Sequence, residues 1–537
     1  MLCITRQRTK PTLLFFLFNR IDHIFQNNVL NFMDQSSSIE MAIFIASHFL
    51  IKLWAIIHKK EVNIMEFKGR LTLLSVFTSA LFTSSVMADT TFKPVTIESL
   101  NIPERTCNIR DYGAEATGIW YDTKAFQSAI DDCAGKGGGT VLVPAGFYLS
   151  EPLYLKNNIN LHLEKGAILQ AAAEKAAYTP SEATKKWAGV PKLWPNAENW
   201  LAFLNIAEGN NIAITGEGTI DGQGSALLED FRANARKTGS KGPTNRPRMV
   251  FIKDSNHILI ENITLQNSPS FHVVFFNTEN ITINKTKIFA PEWWENTDAI
   301  DPMHSRYVTI TENTISCGDD HIAIKSVFND DNTHDYYIAR NKFLEGRGLS
   351  IGSEASGGIR NILAEDNTFE NAMYGIRIKS PRGKGGLVSN VVYKNTRMAN
   401  VETPVVLAGY YKGGPVTAEG RTEALQKGEF AGGFMLGNQI YPAQTDKAQP
   451  FNKHTTPHFD NIQFINLESD GNSKSAGFII GTPEKPFTNI LFDNVRINAR
   501  EGLRVRNANL RLKNTTITSQ DGKAIIEEAG AVISTDQ

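Results

Sequence analysis

Cysteine is scarce in this chain, with 4 in 537 residues, and no sign of charge dominates, the formal net charge being −1. The near-neutral balance excludes the basic surplus that draws proteins to nucleic acid or anionic lipid, so a polyanionic partner would need a local cationic patch. No regular ladder of leucines recurs, which argues against a leucine-rich repeat. Beyond the first 88 residues no apolar run is long enough to cross a bilayer. Within the remainder, Cys107 and Cys133 flank a helical pattern and could form one bridge in an oxidising compartment. Cys317 is then left over and reads as a buried small hydrophobe, since no histidine partner is indicated to make it a nucleophile.

The N-terminal stretch differs from the rest. From Met65, the basic Lys68 and Arg70, the apolar run Leu71 to Phe82 and the small-residue site Val86-Met87-Ala88 form the three parts of a Sec-type signal peptide. The expected organisation is an upstream translation artefact over 1–64, a signal peptide over 65–88 and a single domain over 89–537, exported to the periplasm or the exterior as a monomer. Met41 to Ile57 is the competing membrane anchor, but it is short and carries His48 and Lys52.

Next come an N-cap and helical spacing through Thr123 to Ile130, a break at Gly137-Gly138-Gly139, and short strands beginning at Thr140. A weak motif then recurs, a β-branched strand ending in Asn and a turn. It appears at Ile258-Leu259-Ile260-Glu261-Asn262, Ile281-Thr282-Ile283-Asn284, Val308 to Asn313, Tyr337 to Asn341, Ile362 to Asn367 and Val391 to Asn395, at intervals of 23, 27, 29, 25 and 29 residues. Strand units at that period predict an all-β solenoid, a single parallel β-helix with an N-terminal capping helix, whose variable turns absorb the differences in length. Residues 172–206, 225–248 and 412–455 lack the motif and read as long loops, which either shape a binding cleft or decorate the surface.

Four clusters depart from strand-and-turn grammar: Asn296-Thr297-Asp298, Gly318-Asp319-Asp320, Gly346-Arg347-Gly348 and Arg377-Ile378-Lys379. Asp298 and Asp319 are 21 residues apart, Asp320 and Arg347 27, and Arg347 and Arg377 30, each close to one coil, so the groups should form one stripe along a single face. Three crowded carboxylates suit glycoside hydrolysis, because like charges sharing a site force one carboxyl to keep its proton while a neighbour ionises. The cations suit acidic substrate groups, Arg377 as a bidentate fork and Lys379 as a point charge. A lone Asp-Asp or Asn-Thr-Asp is usually only a turn. Four clusters in this order, at coil spacing, are not.

These clusters, with Leu349-Ser350-Ile351-Gly352-Ser353-Glu354 and Asn267 to Phe275, resemble glycoside hydrolase family 28, the polygalacturonases, over about residues 105–515, and bacterial endo-acting members most. The resemblance implies a right-handed parallel β-helix that hydrolyses polygalacturonate, the backbone of pectin, with inversion and with neither metal nor cofactor. It implies Asp319 as general acid, Asp298 and Asp320 as activators of water, and Arg377 and Lys379 as holders of a galacturonate carboxylate near the cleavage point. Arg347, Asn296 and His272 are further substrate-binding candidates, with Trp293, Trp294, Tyr410 and Tyr411 as ring-stacking ones. One departure stands out. The family pattern Gly-His-Gly reads Gly346-Arg347-Gly348 here, and a permanent cation at that place favours an ionised Asp319 over one that donates a proton. His321 could replace the missing histidine, but strand alternation points it to the other face. The competing readings are exo action, hydrolysis of another pectic backbone, and a pectin-binding β-helix impaired by Arg347.

Overall fold

The computed structural model describes residues 100–189, 200–238, 246–411, 435–436, 439–440 and 447–536. The expected signal peptide and the segment before it lie outside the described residues, as does most of 412–455. Among the described residues no helix is long and apolar enough to cross a membrane.

The chain winds into coils of three short strands. One coil runs Val250–Lys253, Asn256–Glu261, Thr264–Gln266; the next runs Val273–Phe276, Glu279–Asn284, Lys287–Phe289. Each strand pairs in parallel with its equivalent one coil away, Val250 with Val273, Ile258 with Ile281, Thr264 with Lys287. The result is a right-handed parallel β-helix with three sheets along its length. Alternation builds its interior, as stacks such as Ile258, Ile281, Val308, Tyr336 and Ile362 bury one apolar core.

The asparagine that ends each motif has a physical cause. The residue after the second strand turns the corner with positive φ, 59° at Asn262 and 56° at Asp366, a conformation that short polar side chains tolerate best, although Glu312 and Arg340 adopt it at the same place. Just beyond it, Asn313, Asn341 and Asn367 point inward. Their side chains bond to one another at 2.9 and 3.0 Å and to the carbonyls of Ile283, Ile310 and Ile338. This ladder satisfies polar groups that the bend would otherwise bury unpaired.

The expected capping helix is Thr123–Gly135, burying Phe126, Ala129, Ile130 and Cys133 against the first coil. Cys133 is disulfide-bonded to Cys107, with Cα atoms 6.1 Å apart, and Cys317 is a buried free thiol. Two loop readings need correction. Residues 225–248 contain the helix Gly224–Thr238, anchored by buried Leu227 and Leu228, too few apolar residues to announce it. Residues 172–206 contain two 3-10 turns, Lys175–Tyr178 and Lys185–Trp187, and the strand Leu204–Ala207.

Candidate active site

The functional clusters fall on one sheet and on the loops that enter it. Its strands are Val250–Lys253, Val273–Phe276, Ile300–Met303, Ile322–Ser326, Leu349–Ala355, Tyr374–Lys379 and Thr403–Ala408. Their inward residues, including Ile322, Ile324, Ile376 and Ile378, belong to the core, so alternate residues face outward. Ser350 stands opposite Arg377, Ala323 opposite Ser350, and Met303 opposite Lys325, which places Asp301 beside Ala323.

Asp298, Asp319 and Asp320 lie where the chain enters Ile300–Met303 and Ile322–Ser326, and one oxygen from each comes within 4.8 Å of the others. The loop carrying Asn296-Thr297-Asp298 is tightly held. Arg246 donates to the carbonyls of Pro269 at 3.0 Å and Glu295 at 2.7 Å and to Asn296 Oδ1 at 3.1 Å, with its guanidinium 4.1 Å from the centre of the Phe231 ring. Thr297 Oγ1 accepts from the Gly318 amide at 2.9 Å, joining the first cluster to the second. Gly318 has no room for a side chain against the Trp294 carbonyl.

The three carboxyls have different surroundings. Asp320 is buried, and Arg377 donates to its Oδ1, Ser350 to the same atom at 2.9 Å, and Lys379 to its Oδ2 at 2.7 Å. Burial opposes ionisation, but Arg377, Lys379 and Lys325 outweigh it and hold this carboxyl well below the usual range. Asp298 is equally buried and its Oδ1 has no hydrogen-bond partner. Burial, reinforced by Asp301, Asp319 and Asp320 against the opposing Lys325, raises its carboxyl well above the ordinary range. Asp319 is the most open of the three, and Arg347 Nη1 stands 3.3 Å from its Oδ2.

The structure brings together Asp298, Asp319, Asp320, Arg347, Arg377 and Lys379, and holds Asn296 in the entering loop. Arg347 is not in line with Arg377, however. Ser350 occupies that register position, and Arg347 lies on the preceding loop, facing Asp319. His272 is corrected from cleft liner to wall residue. It is fully buried, its ring nitrogens 3.2 and 3.3 Å from the carbonyls of Asp298 and Phe289, and burial pushes it down to about 4. His321 does face the other way, as alternation requires. Its Nδ1 accepts from the Gly348 amide at 3.1 Å, which leaves Nε2 to donate toward Leu344 and Glu345, and Gly346 packs so closely that a side chain there would strike the ring. Of the aromatics, Trp293 is exposed and Trp294 buried, while Tyr410 lies against Arg382 and Tyr411 against Lys379 at 5.3 and 5.1 Å from the ring centres.

Sequence reasoning missed the pair behind these groups. Asp301 is fully buried with neither oxygen hydrogen-bonded, and Lys325 Nζ lies 3.6 Å from it. Burial, opposed by Lys325, pushes Asp301 up to about 7, so it and Asp298 compete for protons. Both residues were visible in principle, as polar outward positions in the alternating stretches Ile300-Asp301 and Ile322-Ala323-Ile324-Lys325.

Comparison with known proteins agrees with this geometry. Residues 133–426 match the model of glycosyl hydrolases family 28. An endo-polygalacturonase of Pectobacterium carotovorum subsp. carotovorum is 35% identical over 298 residues, 54% of this chain and 72% of that protein. A polygalacturonase of Ralstonia nicotianae is 32% identical over 334 residues, 54% of this chain and 62% of that one. Among solved structures, the polygalacturonase from Erwinia carotovora ssp. carotovora superposes with a TM-score of 0.57 at 26% identity, covering 81% of this chain and 99% of that one. The exopolygalacturonase from Thermotoga maritima gives 0.61 at 22% identity, covering 80% and 94%. With the aspartate trio and its cations in place on a parallel β-helix, the chain belongs to glycoside hydrolase family 28.

Proposed function

We propose that this protein hydrolyses α-1,4-galacturonosidic bonds of polygalacturonate, and that the observation carrying this reading is the Asp298–Asp319–Asp320 cluster set directly against Arg377 and Lys379. Asp319, the most open of the three, protonates the leaving oxygen. Asp298 takes a proton from water, its raised basicity suiting that task once it is ionised. Asp320, fixed as an anion, orients the same water. Arg377 and Lys379 supply positive charge beside the bond, where a substrate carboxylate shares them with Asp320. These protein cations balance the carboxylates, and the reading calls for no metal ion.

The closeness of the carboxyl oxygens resembles retaining enzymes, in which a carboxylate attacks carbon. One feature favours inversion by water. Asp320 has both oxygens held by Arg377, Ser350 and Lys379 and is not free to swing onto carbon.

The test is hydrolysis of polygalacturonic acid with a chelator present, following reducing ends, ultraviolet absorbance and the anomer first released. Expected are new reducing ends without an unsaturated product, and an anomer inverted relative to the substrate. Unsaturated product, or activity abolished by the chelator, would count against hydrolysis of this kind, and a retained anomer would make Asp298 the nucleophile.

A pH dependence follows from the buried pair. An ionised Asp301 discourages ionisation of Asp298, as do Asp319 and Asp320, whereas Lys325 encourages it. Replacing Asp301 by Asn removes one negative charge, lowers the carboxyl of Asp298 toward the ordinary range, and lets the base form persist in more acid solution. The acid limb of kcat/KM for Asp301→Asn is therefore expected at lower pH than in the unchanged enzyme; a pH–rate series checks it, and a limb moving upward would contradict the coupling.

A further inference from the structure

The outer face of the sheet that carries the site changes character abruptly on both sides of it. One row of outward residues runs Phe251, Val274, Asp301, Ala323, Ser350, Arg377, Val406, Phe478, one per coil. A parallel row includes Phe276, Met303, Lys325, Lys379, Ala408 and Ile480. The polar part spans four coils, from Asp301 to Arg377, and three inter-strand steps make it about 14 Å long. For two coils on either side both rows are apolar, before they reach Asn205 and Lys253 at one end and Arg504 and Arg506 at the other.

Those apolar ends are not a bare floor. On the N-terminal side Phe251, Val274, Phe276 and Met303 pack with Ala202, and Phe271, Val327 and Phe328 close over them. The Phe328 ring centre is 5.8 Å from that of Phe276 and 5.1 Å from that of His304. On the C-terminal side Val406, Ala408, Phe478 and Ile480 are buried with Tyr374, and Met373 and Tyr410 pack on them. The chain itself covers the sheet on both flanks. Within the polar part, Asp319 and Arg347 are the more exposed, at 15% and 31% of their side chains, against 3% and 2% for Asp320 and Arg377.

A long polygalacturonate chain carries a carboxylate on every residue, and laying these over dry apolar surface without partners is strongly unfavourable. An open groove for internal cleavage would continue polar and uncovered past both ends of the catalytic strip. Here it stops within one coil on either side. Resting on the polygalacturonase reading, we propose that the site is a blind pocket that admits the end of a chain, so that the enzyme acts from a terminus and releases mono- or digalacturonate. The endo action implied by sequence resemblance is replaced, in this proposal, by action at chain ends, with the segment bearing Val327 and Phe328 as one wall of the pocket.

The experiment follows product length and solution viscosity together, from the earliest conversion of polygalacturonic acid by the full chain. Expected first products are monomer or dimer, with viscosity falling slowly as reducing ends accumulate. An early ladder of mixed oligomers with a steep fall in viscosity overturns the pocket while leaving the polygalacturonase reading intact. No release from polymer or short oligogalacturonides overturns that reading and this proposal with it. Phe328→Gly, checked for folding by circular dichroism, should raise the share of trimer and longer products several-fold. An unchanged product ladder in the folded variant overturns the assignment of this wall.

Discussion

Asp319→Asn should lower kcat on polygalacturonate by about 10³-fold, within the range that loss of a positioned general acid produces, with a much smaller change in KM. The amide nearly preserves shape and removes only the transferable proton. The remaining carboxyls cannot take over. Asp320 is an anion locked by Arg377 and Lys379, and in the proposed scheme Asp298 is committed to water. Stability should change little, because Asp319 is the more open carboxyl and its contact with Arg347 is long, at 3.3 Å. A kinetic comparison with an unfolding curve on the same preparation checks both halves. If Asp319→Asn kept a tenth or more of the rate, on the order expected for a merely supporting group, the acid would have to be sought elsewhere. Asp298, the carboxyl that holds its proton most readily, would be the first to re-examine.

Arg377→Ala should damage both folding and catalysis. The guanidinium donates through Nε to Ser350 at 3.1 Å and through Nη2 to Asp320, and lies 4.6 Å from the centre of the Tyr374 ring. Removing it leaves a buried carboxylate with Lys379 and Ser350 alone, and breaking such a pair from one side costs about 3–5 kcal/mol. The pH dependence fixes the sign. Asp320 is depressed in the folded state, so its contribution is present above the unfolded value of 3.8 and is lost as pH falls through the lower folded value. The stability gap between the variant and the unchanged protein should be full at neutral pH and close in strong acid, as denaturant midpoints would show. Arg377→Lys keeps the charge but not the fork, and should recover stability more than it recovers kcat/KM. Equal recovery of both would mean that the guanidinium serves the fold alone.

The repeat and the site clusters were legible because both rest on local rules. Alternation at Ile258 and Ile260, a corner at Asn262, and clusters returning at coil spacing are all written within a few residues of one another. Register was harder. Spacing placed Arg347 in line with Arg377, but loops before a strand differ in length, so Ser350 took that place and Arg347 moved to face Asp319. The fate of His272 was hidden for a related reason, since a histidine beside a site reads the same in sequence whether it lines a cleft or backs its wall. Asp301 and Lys325 were passed over because a single outward polar residue in a strand normally meets water. Here neighbouring coils and loops cover it.

The corner ladder of Asn313, Asn341 and Asn367 has one more consequence. The inward amides tie these three coils together from inside, at a corner separate from the segments that cover the outward rows. A longer or shorter segment around Val327 and Phe328 would reshape the wall without displacing Asp320 relative to Arg377. Under the proposed pocket, chemistry and substrate length are carried by separable parts of the chain, one a fixed scaffold and the other a covering segment.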